Sequence, residues 1–436
     1  MNVPLLRIAL ISEHASPLAT IGGVDSGGQN IYVANVARAL ARAGHQVDVL
    51  TRRDSPHLAP IVDMRPGVRV IHIDAGPASF VPKEELLQHM PEFTRVAEHL
   101  LRNSVRYDVV HANFFMSGLV ALRLKEALGL PLVMTFHALG AVRCEHQKAS
   151  DGFPASRIGI ERALVRHADT IVAECPQDED DLIRLYDADP AKIVMVPCGF
   201  DPEEFAPVDR DQARESLGLR RDDFIVLQLG RLVPRKGIDN VIQAMGHLDH
   251  GIASKLLVVG GDEREPNEQR TPEIARLRQV AREAGVAGRV EFVGHRDRRE
   301  LRTYYAAADV FVTTPWYEPF GITPLEAMAC GTPVVGSNVG GIKYSVEEGV
   351  TGFLVSPKDP RALAARLREL HGSPALARAF GRAGIRRVRS MFTWDRVADD
   401  LAKAYEGVQL PQTAASPWRH ARPPQQASER SSMAAR

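Results

Sequence analysis

The sequence predicts an α/β protein built from two doubly wound, parallel-sheet domains that face each other across a cleft. Three observations carry that expectation. Short apolar runs rich in β-branched residues alternate with helical stretches along both halves, as in parallel sheets covered on both faces. A turn-rich stretch, Pro197-Cys198-Gly199-Phe200-Asp201-Pro202 to Pro207, interrupts this rhythm, which then restarts. The 436 residues also exceed what one ordinary core organises. The expected domains are residues 1–205 and 206–390.

The elements follow in order. Leu5 to Ile11 reads as the opening strand, and a glycine-rich loop, Gly22-Gly23-Val24-Asp25-Ser26-Gly27-Gly28, comes next. Ile31, Ala34, Ala37, Leu40 and Ala41 then recur at helical spacing until Gly44 supplies a stop. Val47 to Leu50 is the second strand, with further strands expected at 108–111, 131–135, 170–173 and 192–196. Beyond the linker, strands are expected at 224–229, 256–259, 290–293, 309–313 and 333–336. Such domains bind ligands at the carboxyl ends of their strands. From about Leu410 the chain is rich in Pro, Gln, Ser, Ala and Arg without periodicity, so residues 411–436 read as a disordered tail.

Composition narrows the function. Lys plus Arg and Asp plus Glu balance at 54 each, which argues against nucleic acid as the main partner. Cys144, Cys175, Cys198 and Cys330 are scattered without metal-finger spacing and fit reduced thiols. The apolar stretch Leu5–Ile11 is too short for a signal or spanning helix. A cytoplasmic protein is expected. A basic surface patch leaves the total charge balanced, so peripheral membrane contact stays open.

The densest local signal is Pro315-Trp316-Tyr317-Glu318-Pro319-Phe320-Gly321-Ile322-Thr323-Pro324-Leu325-Glu326. It reads as a strand end, a turn and a helix start. Thr323 is the expected N-cap, and Glu326 would complete a capping box. A helix start offers unpaired N–H groups to an anion, and Glu318 and Glu326 would grip sugar hydroxyls on either side of a bound phosphate. The competing reading is that Glu326 only caps its helix.

Gly230-Arg231-Leu232-Val233-Pro234-Arg235-Lys236-Gly237 follows the first strand of the second half. Arg231 and Lys236 there suit a diphosphate, one as a fork and one as a point charge; a solvated basic loop is the alternative. The Gly22–Gly28 loop is too long and wrongly spaced for a dinucleotide fingerprint, but Gly27 and Gly28 at a helix start allow close approach to a phosphate or sugar. His137 ends a strand-like run at the same cleft, with His111, His146 and Asn113 competing on local pattern. The literal D-x-D matches at Asp178-Asp180, Asp187-Asp189 and Asp209-Asp211 are discounted as metal sites, since i and i+2 diverge on a helix and the last two lie in turn or linker sequence.

Together these residues resemble the retaining glycosyltransferases of family 4, whose GT-B fold pairs two facing Rossmann-like domains. The resemblance spans about residues 5 to 408. Its most specific element is the E-x7-E spacing of Glu318 and Glu326, supported by Gly230-Arg231-Leu232, Lys236-Gly237, Val196-Pro197-Cys198-Gly199-Phe200-Asp201 and Gly340-Gly341. The opening Gly-Gly-Gln-Asn-Ile-Tyr-Val looks most like the branch of sucrose-phosphate synthases and the inositol-phosphate glycosyltransferases of mycothiol synthesis. Phe392-Thr393-Trp394 and residues 391–410 resemble the family's C-terminal helix, which crosses back to the first domain.

The resemblance implies a metal-independent retaining hexosyltransferase without a cofactor. Its donor would be a nucleoside diphosphate-sugar, UDP-glucose by default. Arg231 and Lys236 would neutralise the leaving diphosphate, Glu326 would bind the ribose, and Glu318 the transferred sugar. Gly27, Gly28 and the N–H groups of Phe320, Gly321 and Ile322 would assist. The His137 carbonyl would lie near the anomeric carbon. Lys83, Asn113 and Arg157 are the expected acceptor-binding residues, for a small-molecule or lipid acceptor. Phe114, Ala138 and Glu174 depart from the inositol-phosphate branch. The runner-up reading is a nucleotide-sugar-binding regulatory protein without turnover. An NADP-dependent oxidoreductase is disfavoured by the glycine loop.

Overall fold

A computed structural model describes residues 5–19, 27–148 and 152–409. The part of the glycine-rich loop from Gly22 to Ser26 and the expected tail lie outside these residues.

The first sheet has eight strands: β1 (Arg7–Ile11), β2 (Gln46–Arg52), β3 (Ile61–Arg65), β4 (Val68–Ile73), β5 (Val109–Asn113), β6 (Leu132–Thr135), β7 (Thr170–Ala173) and β8 (Ile193–Met195). Their order is β3-β4-β2-β1-β5-β6-β7-β8. Only the β3–β4 pair is antiparallel among the described strands. The second sheet, in the order β11-β10-β9-β12-β13-β14, is parallel throughout. Its strands are β9 (Phe224–Leu229), β10 (Ser254–Val259), β11 (Val290–Gly294), β12 (Val310–Thr313), β13 (Val334–Ser337) and β14 (Gly352–Val355). This is the GT-B architecture of two Rossmann-like domains.

The structure adds three strands to those read from the sequence: β3, β4 and β14. β3 is an exposed hairpin edge that buries no continuous face, β4 interleaves Arg69 and His72 with its apolar residues, and β14 has only four residues. None shows the dense apolar run of a central strand.

The connections place the two sheets. Phe200 pairs with Thr393 in an isolated bridge, and its N–H donates to the Phe392 carbonyl at 2.8 Å. The helix Trp394–Gln409 then packs on the helix Gly28–Arg42 of the first sheet. Arg42 meets Asp395 at 2.6 Å, and the Tyr405 hydroxyl lies 2.7 Å from His111 Nδ1. One buried apolar cluster therefore runs from Leu10 and Val36 through Trp394 and Leu401 to Phe311 and Leu325. Contacts also cross the cleft directly. The Cys175 thiol donates to the Pro319 carbonyl at 3.3 Å, Lys343 donates to Gln177 at 2.7 Å, and His146 stacks on Tyr317. Among the described residues no helix is long and apolar enough to cross a membrane.

Candidate functional site

The site residues stand just beyond strand ends. Asn113 closes β5, His137 follows β6 by two residues, and Glu174 follows β7 directly. Arg231 lies two residues past β9, and Glu318 five past β12. Parallel strands in both sheets aim these ends at one crevice, where such folds bind ligands.

The second-sheet wall is zipped from two loops. Gly237 has φ +66°, and a Cβ there would stand 2.0 Å from the Thr314 carbonyl oxygen, so only glycine lets the two backbones meet. The Trp316 N–H donates to the Arg235 carbonyl at 2.9 Å, and Thr314 Oγ1 donates to the Gly237 carbonyl at 3.0 Å. This brings Lys236 Nζ onto Glu318 Oε2. Burial alone would raise the Glu318 carboxyl, but Lys236, Arg235 and Arg231 outweigh it and hold it below its ordinary value. Burial, aided by the two arginines and opposed by Glu318, holds the Lys236 ammonium below its usual range. On the far side, a Cβ at Gly340 would stand 1.8 Å from the Glu318 carbonyl oxygen, so the turn rests on bare backbone. The N–H groups of Phe320, Gly321 and Ile322 find no acceptor among the described residues.

The capping expectation is corrected. The helix is Thr323–Ala329, its N-cap is Ile322, and no side chain caps it. Ile322 is already helical, so Thr323 sits one position too far in. Glu326 turns instead to Arg298 Nη1 at 2.7 Å and to the Tyr305 hydroxyl, which donates at 2.9 Å. A bond to a charged guanidinium outweighs a neutral cap. Arg298 also reaches back to Glu204, and those two carboxylates raise its pKa against the pull of burial.

Across the cleft, Gly27 is the N-cap of the helix Gly28–Arg42, and a Cβ on it would lie 3.7 Å from Arg231 Nε. Gln29 Nε2 donates to the Asn113 carbonyl at 3.2 Å, tying this helix start to the end of β5. His137 Nε2 lies 2.9 Å from Asn113 Oδ1, and its Nδ1 lies 3.0 Å from Glu174 Oε1. The Tyr32 ring meets the imidazole edge-on at 4.6 Å. Behind it the Cys198 thiol donates to Glu174 at 3.1 Å. Burial, with the Glu174 charge beside it, pushes the Cys198 thiol well up, and burial takes Cys175 to about 12, so neither is a nucleophile. Of the competing histidines, His111 is clamped between Tyr405 and Thr135 and pushed down to about 3 by burial and by His137, which makes it a neutral core residue.

The acceptor expectations meet a different geometry. Asn113 gives its amide oxygen to His137 and its amide nitrogen to the Ile11 carbonyl. Arg157 is 2% exposed, donates to Glu161 at 2.8 Å and lies over the rings of Phe114, Phe115 and Phe153. Lys83 opens a short 3₁₀ turn and lies 3.4 Å from Glu84. Asn113 and Arg157 thus both bond to the protein, while the buried Nη1 of Arg157 has no partner among the described residues. Among the described residues no cluster of His, Cys, Asp or Glu could hold a metal. Asp178 is used instead to accept the Glu174 N–H at 3.0 Å.

Sequence reading did not assign a role to Glu174, Tyr32, Arg298 or Tyr305. The available signal was a buried-strand context directly before Glu174, where a carboxylate needs a partner. For the others no local pattern existed.

Residues 26–204 match the model described as Glycosyltransferase Family 4, and residues 209–387 the one described as Glycosyl transferases group 1. The D-inositol 3-phosphate glycosyltransferase of Actinosynnema mirum is 39% identical over 410 residues, which cover 92% of this chain and 96% of that protein. D-inositol 3-phosphate glycosyltransferase 1 of Catenulispora acidiphila is 40% identical over 405 residues, covering 92% and 95%. Among solved structures, sucrose-phosphate synthase from Thermosynechococcus elongatus is similar at a TM-score of 0.85 and 35% identity, over 92% of this chain and 99% of that one. HepE of Anabaena, solved in complex with UDP-glucose, shares the fold at a TM-score of 0.73 and 21% identity, over 92% and 100%.

Proposed function

This chain belongs to the group 1, family 4 glycosyltransferases, and from that premise we propose that it moves a hexose from a nucleoside diphosphate-sugar, UDP-glucose in the first instance, to a hydroxyl acceptor with retention and without a metal. The observation that carries this reading is Arg231, which stands beside Gly27 at the helix start and close enough to the Lys236–Glu318 pair to shift both groups. Two cations and an open helix terminus surround a space suited to two phosphates.

The groups divide the work. A diphosphate entering the site draws Lys236 from Glu318, which then accepts from hydroxyls of the transferred sugar. Gly28 and the free N–H groups of Phe320, Gly321 and Ile322 line the same path. Glu326 keeps a lone pair on each oxygen beyond those used by Arg298 and Tyr305, enough to accept a ribose hydroxyl. As the bond from the anomeric carbon to the phosphate oxygen breaks, Arg231 and Lys236 meet the charge gathering on the diphosphate. The acceptor oxygen bonds the same carbon from the same face, and its proton passes to the departing phosphate oxygen. The relatives named for D-inositol 3-phosphate make a sugar phosphate or phosphorylated polyol the first acceptor to try.

The test is a thermal-shift panel of UDP, GDP, ADP and NADP on the wild type and Arg231→Ala. A ligand at 100 times its Kd adds roughly 2.7 kcal/mol to the folded state. The expected result is a shift with one nucleoside diphosphate, lost in the variant. A shift with NADP alone would overturn the reading. The anomeric configuration of the product, read by NMR, decides retention.

A further inference from the structure

The backbone at His137 is strained, and two side chains hold it so. Its φ is +57°, and the Ala138 N–H donates to the Phe136 carbonyl at 2.7 Å across it. His137 is thus the centre of the rare left-handed three-residue turn, which a residue with a Cβ resists and glycine does not. Such strain persists only where the surroundings over-determine it. Here they do. Glu174 holds Nδ1 at 3.0 Å and Asn113 holds Nε2 at 2.9 Å, with the Tyr32 ring against the imidazole edge. Both clamps are anchored: the Asn113 amide nitrogen on the Ile11 carbonyl at 3.3 Å, the Glu174 backbone on Asp178 at 3.0 Å.

With both ring nitrogens bonded to protein, the imidazole has no nitrogen left for a ligand. The backbone carbonyl is what remains unspent, since it accepts no hydrogen bond from any described residue. The next two residues, Ala138 and Leu139, line a cavity of about 210 Å³ whose opposite wall includes Glu318 and Pro319. The turn therefore stands at the cleft.

We propose that Glu174 and Asn113 are positioning residues, which grip the His137 ring to hold its strained turn and so aim the His137 carbonyl into the cleft as a fixed dipole. Resting on the transferase reading above, that dipole meets the positive charge that develops on the anomeric carbon as the nucleotide leaves. The side chain of His137 is the handle, and the carbonyl is the working group.

Glycine separates this from a merely structural role. His137→Ala and His137→Gly are compared, each with and without Glu174→Gln, by nucleotide release from the donor and by thermal unfolding. Ala keeps the Cβ strain and loses the clamps, so its kcat is expected to fall about 100-fold with KM for the donor within about twofold. Gly adopts the turn unaided and should fall no more than about 10-fold. Glu174→Gln alone should lower kcat about 10-fold, but less than about twofold when added to His137→Gly, because the clamp then has nothing to hold. A merely structural turn predicts the same melting order, since glycine suits φ +57° in either case, but no difference in kcat between the two variants. Equal or lower kcat for His137→Gly than for His137→Ala, or an undiminished Glu174→Gln effect in the His137→Gly background, overturns the proposal. The unfolding temperature reads the same strain without any substrate: His137→Gly should melt above His137→Ala, and the opposite order refutes the clamp. Wild-type protein that turns over no nucleotide sugar would instead sink the transferase reading and with it the task assigned to the carbonyl.

Discussion

The two walls of the cleft are made rigid by different means. The second-sheet wall is held by ion pairs, Lys236 with Glu318 and Arg298 with Glu326 and Glu204. The first-sheet wall is held by a strained turn and a chain of short polar bonds, from Cys198 and Glu174 through His137 to Asn113. On the proposed reading, the wall built from charge is the one that meets the departing diphosphate, and the wall of dipoles and a buried carboxylate is the one that faces the developing cation. The contrast teaches where each wall should fail. The charged wall fails when one partner of a buried pair is removed, because the other is left uncompensated. The dipolar wall fails in smaller steps.

The largest effect tests the charged wall. Arg298→Met leaves Glu326, 1% exposed, with only the Tyr305 hydroxyl. Breaking a buried pair in this way costs about 3–5 kcal/mol. Urea unfolding followed by tryptophan fluorescence should show that loss. If Arg298→Met is neutral, the second wall is not held by its charges, and the contrast between the walls collapses.

A smaller effect is expected behind the other wall. Tyr405→Phe deletes the hydroxyl 2.7 Å from His111 Nδ1 and leaves that nitrogen buried without a partner. The cost is about 1–3 kcal/mol. Because His111 is kept neutral and bonds Thr135 rather than any site residue, kcat for nucleotide release should stay within about twofold. A large fall in kcat at unchanged stability would mean that the C-terminal helix reaches the chemistry and does not merely brace it.

How far the sequence could be read follows the same division. Arg231, Lys236 and Glu318 lie on two short segments, each at a strand end, so their meeting was legible from strand order and loop position, whereas Glu326 turns to Arg298 and Tyr305. The central strands were legible because a doubly covered parallel strand must be apolar along its whole length. Asn113, His137 and Glu174 come from three separate strand ends, and only the β5-β6-β7 order joins them. The capping box failed because Ile322 is already helical, which puts Thr323 inside the helix, and because Glu326 found a stronger distant partner in Arg298. Arg157 divides its guanidinium: Nε pairs with Glu161 four residues on, while the buried Nη1 has no partner among the described residues. Charge at a strand end is visible in a sequence, but whether that charge is already spent inside the protein is not.

The smallest effect is a change of slope, and it sharpens the contrast from within the first wall. Asp178 sits directly behind Glu174. Burial first, then the charge of Glu174 and more weakly that of Asp181, push its carboxyl up to about 7, while the Glu174 N–H bond pulls the other way. Its ordinary value is 3.8. A group raised in the folded state binds its proton more tightly there than in the unfolded chain. Its contribution is therefore whole below about pH 4 and is lost as the pH rises through about 7, at no more than about 1.4 kcal/mol per pH unit. Asp178→Asn keeps an oxygen for the Glu174 N–H but has no proton to lose. The variant's unfolding free energy should thus fall less than the wild type's between pH 4 and 7, and the two curves should separate progressively toward neutral pH with the variant the more stable. Parallel curves would mean that water or a rearranged Glu174 already relieves the crowding of carboxylates. The first wall would then be softer than its bond lengths suggest, and its grip on His137 would need another source.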